Sequence, residues 1–257
     1  VYSNEKAKVD ASNAKDGYVM VAYNGAAKSR LKVRVTGPSG TVYTYDLNKN
    51  GNYEVFPLSD GNGKYTVGVY ENTSGNKYAL AFSTPVTVML TNDFAPFLRP
   101  NQYVNYSADS QAVKKAAELT KGKKNDLEKI TAIYDFTVKT LTYDKKKAQT
   151  VQSGYLPNVD QVLASKTRIC FDYAALMTAM LRSQGIPCKL VVGYAGTVYH
   201  AWINAYSQKQ GWISNAIYFD GTTWKLMDPT FASSAKQSQQ IMEYIGNGSN
   251  YSAKYIY

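Results

Sequence analysis

The sequence predicts two successive folds, an all-β sandwich followed by an α+β domain. Three observations carry this expectation. Short alternating segments with turn signals fill residues 18–91, helical periodicity takes over near residue 107, and apolar strand-like runs return after Pro187. At 257 residues, 44% of them hydrophobic, the chain is long enough for one large domain or two ordinary ones with substantial cores.

The first strands are read at YVMVAY, LKVRV, TVYTYDL, KYTVGVY, KYALAFS and PVTVMLT. Turn signals separate them at Asn24-Gly25, Gly37-Pro38-Ser39-Gly40, Asn50-Gly51, Gly61-Asn62-Gly63 and Ser74-Gly75. Many short strands at this spacing predict an antiparallel sandwich of immunoglobulin-like type over residues 1–91. That segment contains no cysteine, histidine or tryptophan. It therefore reads as a spacer or packing module, with carbohydrate or protein binding as the other role open to it. Residues 92–106 carry Pro96 and Pro100 without a clear period and read as a linker.

The second domain is expected over residues 107–257. Val113, Ala116, Ala117 and Leu119 stand near helical spacing in a segment that stops at Gly122. Asn125 and Glu128 have capping-box spacing ahead of Leu127, Ile130, Ile133, Tyr134 and Val138 on one helical face. A shorter helix is expected at NVDQVLAS. From Cys170, the apolar positions Ala174, Ala175, Met177, Ala179 and Leu181 follow helical spacing until Gly185 and Pro187 end the run. The later runs CKLVVGY, YHAWINAY, GWISNAIYFDG and TWKLMDPTF are expected to be strands of an antiparallel sheet.

Twenty-nine Lys and Arg against 19 Asp and Glu give a formal charge of +10, compatible with anionic polymers such as cell-wall components. The lysine runs KGKKND and DKKKA flank helical patterns and read as solvated faces. No nucleic-acid motif accompanies them, so a nucleic-acid partner is not expected. No stretch approaches the about 18 apolar residues of a membrane span. The first residues have neither a charged nor an apolar leader region, and a signal peptide is expected to have been removed before Val1.

Of the two cysteines, Cys170 falls in the first turn of its helix, where unpaired N–H groups and the positive end of the dipole favour a thiolate. Asp172 suits the same helix start but opposes a thiolate. A general base is also needed. The single histidine, His200, lies on a predicted strand 30 residues later, and Asp228 follows in KLMDPTF. Alone, such a histidine is more often structural. In the order Cys-His-Asp, the imidazole can take the thiol proton while the carboxylate fixes its tautomer.

At these residues the sequence resembles the transglutaminase-like superfamily, papain-related enzymes in which the cysteine opens a helix packed on a small antiparallel sheet. The matching pieces are CFDYAALMTAMLRSQGIPCKLVVGY, HAWINAY, GW and WKLMDPTF, within residues 131–232. The resemblance implies an α+β, papain-like domain with Cys170 as nucleophile, His200 as base and acid, and Asp228 as orienting carboxylate. It places Trp202 beside the site. The implied chemistry is acyl transfer or hydrolysis on protein or peptide amides through a thioester, requiring no metal or organic cofactor. The implied enzyme is a bacterial secreted or surface protein, with cell-wall peptides among its plausible targets and an association with the cell envelope. Oligomeric state is not legible.

Family members usually carry glycine two residues before the cysteine, where this chain has Arg168. Arg168 either crowds the substrate channel or lowers the thiol pKa through its charge. The first reading leaves a non-catalytic surface binding or adhesion protein as the alternative function. The Cys170 backbone N–H is one natural oxyanion donor, and a second is sought upstream in VQSGYLPNVDQ, which makes Tyr155 and Gln161 near-site candidates. A zinc site would need a tighter ligand set than one Cys, one His and one Asp. A Cys170–Cys188 disulfide would abolish the nucleophile, and Cys188 reads instead as a small core residue. Tyr173, Tyr194, Tyr199, Phe219 and Phe231 read as packing residues.

Overall fold

A computed structural model describes residues 1–27, 29–165, 167–213, 217–219, 224–226 and 251–257, the two short central segments by backbone only. It divides into two units, Val1–Gln102 and Tyr103–Tyr257.

The first unit is sheet-rich. In chain order its strands are β1 (Tyr2–Ser3), β2 (Ala7–Asp10), β3 (Tyr18–Tyr23), β4 (Leu31–Thr36), β5 (Val42–Leu47), β6 (Glu54–Pro57), β7 (Gly63–Ser74) and β8 (Lys77–Val88). They form two antiparallel four-stranded sheets, β1-β2-β3-β6 and β5-β4-β7-β8. The period-2 pattern buries Leu31, Val33 and Val35 of β4 and, from their neighbours, Tyr43, Tyr45, Leu47, Tyr65, Val67 and Val69. Val19, Val21 and Phe56 do the same in the other sheet. The arrangement fits a β-sandwich. Residues 92–102 are held to this unit: the Gln102 N–H donates to the Val55 carbonyl at 3.0 Å, and its side-chain amide donates to the Asp46 carbonyl at 2.7 Å.

Two strands expected at KYALAFS and PVTVMLT are one, β8. Pro85 lies within it, opposite Thr66 of β7. Among the described strands β8 ends its sheet and pairs with β7 alone, a position in which alternate N–H groups point outward and proline is tolerated. The turn signals hold at Gly40, Gly51 and Gly75, which all take positive φ.

In the second unit the elements are α1 (Gln111–Thr120), α2 (Asp126–Thr140), β9 (Thr142–Tyr143), α3 (Lys145–Thr150), α4 (Val159–Ser165), β10 (Thr167–Arg168), α5 (Cys170–Ser183), β11 (Cys188–Ala195), β12 (Val198–Ser207), β13 (Gly211–Ile213), β14 (Ile217–Phe219), β15 (Trp224–Leu226) and β16 (Tyr251–Ile256). An antiparallel sheet runs β13-β12-β11-β16, while β14 and β15 pair separately. Of the expected strand GWISNAIYFDG, Gly211–Ile213 form β13 and Ile217–Phe219 form β14, and residues 214–216 and 220–221 lie outside the described residues.

Helix α5 is the centre of this unit. Every residue from Asp172 to Arg182 is buried, with α1, α2 and α4 packed against it as well as β11 and β12. Such a helix has no solvent face, so its sequence is apolar nearly all round. Its end follows the sequence signal: Gly185 takes φ +74°, and the Ile186 N–H returns to the Leu181 carbonyl at 3.1 Å. At α2, Asn125 Oδ1 accepts the Glu128 N–H at 3.0 Å. The Glu128 carboxylate does not close the expected capping box; it accepts the Lys124 N–H and the Asn125 side-chain amide. The run DKKKA is also more than a solvated face. It forms α3, in which Lys145 and Lys146 are exposed while Lys147 turns inward.

Candidate active site

The turn leading into α5 is built from the segment upstream. Strands β9 and β10 pair in parallel, Tyr143 opposite Arg168, and the Asp144 N–H donates to the Arg168 carbonyl at 2.8 Å. Ile169 is then extended and occupies the N-cap, where its side chain offers no acceptor. The Asp172 carboxylate supplies one instead, taking the Ile169 N–H at 3.1 Å. Cys170 follows as the first residue of α5, a free and partly exposed thiol.

Asp172 is 0% exposed, and a buried carboxylate needs donors. Lys147 provides one at 2.9 Å, and the Tyr155 hydroxyl donates to the other oxygen. Lys147 also donates to the Tyr155 oxygen at 2.7 Å, which closes a three-residue network. Burial opposes the Lys147 charge, yet its bonds to Tyr155 and Asp172 hold the ammonium above the ordinary lysine range. Burial and then Asp172 push the Tyr155 phenol up. Sequence reading noted Asp172 as a helix starter and Tyr155 as near the site. It missed Lys147, because an ion pair between elements 25 positions apart leaves no periodicity to read.

The Arg168 guanidinium donates to the Gln161 carbonyl in α4 and to the Thr167 carbonyl, the latter at 3.0 Å. Gln161 thus contributes its backbone to Arg168, and its own N–H donates to Asn158 Oδ1 at 3.0 Å. Its side chain is exposed.

His200 is the third residue of β12, 5% exposed and opposite Gly193 in the pairing with β11. Its ring stacks on Trp202 with centroids 6.5 Å apart and meets Tyr251 at 6.4 Å; Trp202 and Tyr251 meet edge to face at 5.1 Å. The pleat assigns the faces of this sheet. Cys188 places its sulfur 3.5 Å from Thr178 Oγ1 of α5 and pairs with Ala205, so Ala205, Ile203, Ala201 and Tyr199 lie toward α5. His200 and Trp202 occupy the other face. Tyr199 of β12 senses Cys170: burial first, then Tyr255, Tyr194 and Cys170, hold its phenol above the ordinary value. His200 is its immediate neighbour in the chain. The structure therefore joins Tyr155 to Asp172, Arg168 to Gln161 and His200 to Trp202, and sets Cys170 and His200 at the starts of two elements that pack together. Asp228 lies outside the described residues. Cys188 is a free, fully buried thiol, pushed up to about 11 by its burial.

Comparison with known proteins bears on the same region. Residues 113–216 match the model of the transglutaminase-like superfamily. The Bacillus subtilis protein YebA, itself uncharacterised, is 25% identical over 198 residues, covering 65% of this chain and 26% of that protein. A protein-glutamine gamma-glutamyltransferase of Pseudomonas aeruginosa is 27% identical over 98 residues, covering 33% of this chain and 13% of that one. The chain thus spans about a quarter or less of the length of these relatives. Among solved structures, a candidate cysteine protease from Cytophaga hutchinsonii aligns with a TM-score of 0.42 at 18% identity, over 88% of this chain and 73% of the other. Red sea bream transglutaminase aligns with a TM-score of 0.33 at 13% identity, over 83% and 48%. The stretch that matches the transglutaminase-like superfamily lies within the second unit and includes Cys170 and His200.

Proposed function

We propose that the second unit catalyses cysteine-dependent acyl transfer or hydrolysis on protein or peptide amides. The observation that carries this reading is the position of Cys170 as the first residue of α5, on a helix packed against the strand that holds the chain's one histidine. Cys170 Sγ attacks the amide carbonyl while His200 takes the thiol proton, giving a tetrahedral oxyanion. His200 then returns the proton to the leaving nitrogen, the C–N bond breaks, and a thioester remains. Water or a second amine attacks the thioester and releases the thiol. Asp228 orients the imidazole, and the Cys170 N–H is one oxyanion donor.

The same reading takes the first unit as an immunoglobulin-like sandwich and the second as a papain-like arrangement. It takes the protein as secreted or surface-held, acting on protein or peptide substrates that include wall peptides. The charge of +10 supports work at an anionic envelope.

The test is the pH dependence of iodoacetamide labelling of Cys170, followed by peptide mass spectrometry with Cys188 as internal control. An activated thiol reacts with an apparent pKa well below the ordinary ~8.5 and loses that advantage in His200→Ala. Release of ammonia from glutamine-bearing peptides, with and without an added amine, then separates transfer from hydrolysis.

Two observations favour a second reading, a binding protein that keeps the fold without turnover. His200 stands on the face of β12 opposite α5, and arginine occupies position 168 where family members usually have glycine. An ordinary thiol titration, unchanged in His200→Ala, selects this reading.

A further inference from the structure

The buried carboxylate beside the thiol raises a question of charge. Asp172 stands two residues after Cys170, and an ionised carboxylate there opposes a thiolate. It is nevertheless needed, because Ile169 offers no cap and Asp172 takes its N–H at 3.1 Å. Lys147 answers both demands. Its ammonium lies 2.9 Å from Asp172 Oδ2, and α3 holds it there by a short tether, with the Lys147 N–H on Asp144 Oδ1 at 2.8 Å and the Asp144 N–H on the Arg168 carbonyl at 2.8 Å.

We infer that Lys147 is a positioning residue for Cys170: it cancels the charge of Asp172, so that this carboxylate fixes the first turn of α5 without repelling negative charge on the thiol. The inference rests on the reading of Cys170 as nucleophile. Tyr155 serves the same unit by occupying the second carboxylate oxygen.

Charged and titratable groups stand around this turn from several elements. Lys147 and Asp144 belong to α3 and its cap, Tyr155 to the segment after it, Arg168 to β10 and Asp172 to α5. On the sheet side stand Tyr199, with His200 next to it, Tyr194 and Tyr255. Arg168 is already engaged with two carbonyls, and among the described residues Lys147 is the cation bonded to Asp172.

The experiment compares iodoacetamide labelling of Cys170 against pH in Lys147→Met, Lys147→Arg, and Lys147→Met combined with Asp172→Asn, each checked for folding by circular dichroism and thermal melting. Lys147→Met is expected to raise the apparent pKa of Cys170 by about one unit, slowing labelling near neutrality about tenfold. Lys147→Arg is expected to keep the wild-type profile. The double variant is expected to recover it, because the repelling carboxylate is gone as well. A purely structural role would lower melting temperatures and leave the pH profile in place. An unchanged profile in folded Lys147→Met, or no recovery in a folded double variant, overturns the inference. An ordinary wild-type titration defeats the enzymatic reading instead, and the comparison between variants still decides the role of Lys147.

Discussion

A Cβ built on Gly193 would stand 2.0 Å from the carbonyl oxygen of Ser252. Strand β16 closes on β11 through a register shift between Val192 and Gly193, and this approach has room only for a hydrogen at position 193. Gly193→Ala is expected to unseat β16 at a cost of about 1–3 kcal/mol. Hydrogen exchange at the amides of residues 251–256 should accelerate in that variant, along with a lower melting temperature. Wild-type protection there would show that the backbone can yield at no cost.

Arg182 is 3% exposed and uses its fork on two main-chain oxygens, Cys188 at 2.9 Å and Tyr257 at 2.7 Å. A lysine at the same place is a point donor and cannot reproduce the fork. Arg182→Lys is expected to lose about 1–3 kcal/mol, the cost of the buried Cys188 carbonyl losing this donor, while the Tyr257 oxygen keeps the Leu190 N–H at 2.9 Å. Urea unfolding measures it, and a loss below the scatter of the fits would show that another donor takes over.

The Cys188 thiol predicts an alkaline limit to stability. Its folded-state pKa, raised to about 11 chiefly by burial, lies above the ordinary thiol value, so the folded protein keeps a proton that the unfolded chain gives up. That contribution is complete below the ordinary thiol pKa and is lost as pH climbs toward about 11. Melting temperature should therefore fall more steeply over this window in wild type than in Cys188→Ala. In the folded protein near pH 8 this thiol should stay unalkylated while denatured protein labels at once.

Pro85 guards an open edge. Strand β8 is twelve residues long, ends its sheet among the described strands, and exposes Leu80 at 57%. Pro85→Val restores a donor and a β-branched side chain on that edge. Sedimentation velocity should show concentration-dependent self-association in the variant beyond that of wild type. Equal behaviour would mean that the edge needs no guard.

Legibility followed how local each signal was. Strands β3, β4 and β5 could be read because each buries one face and is bounded by glycine turns. Strand β16 could not: YSAKYI has three consecutive exposed positions, and its partner β11 lies far upstream. Strands β1, β9 and β10 have two residues each and show no period. At the candidate site, Cys170 announced itself through the helix it opens. The Lys147–Asp172 pair did not, since the lysine looked like any member of a solvated run until α3 turned it inward. The runs KYALAFS and PVTVMLT, expected as two strands, are one, since an edge strand tolerates the proline that an interior strand would not.

The helix and hairpin at the heart of the second unit are contiguous in the chain. Residues 184–187 join α5 to β11, and residues 196–197 join β11 to β12. Contacts among these three close short loops, which cost little entropy and form quickly, whereas β16 must return from residue 251 to a strand that ended at residue 195. Refolding is therefore expected to protect amides of α5 and β12 before those of 251–256 in pulsed hydrogen exchange; the reverse order would refute it. Since β16 also delivers Tyr251 to the ring of His200, the imidazole meets this neighbour only as the fold closes, after the thiol is seated on its helix.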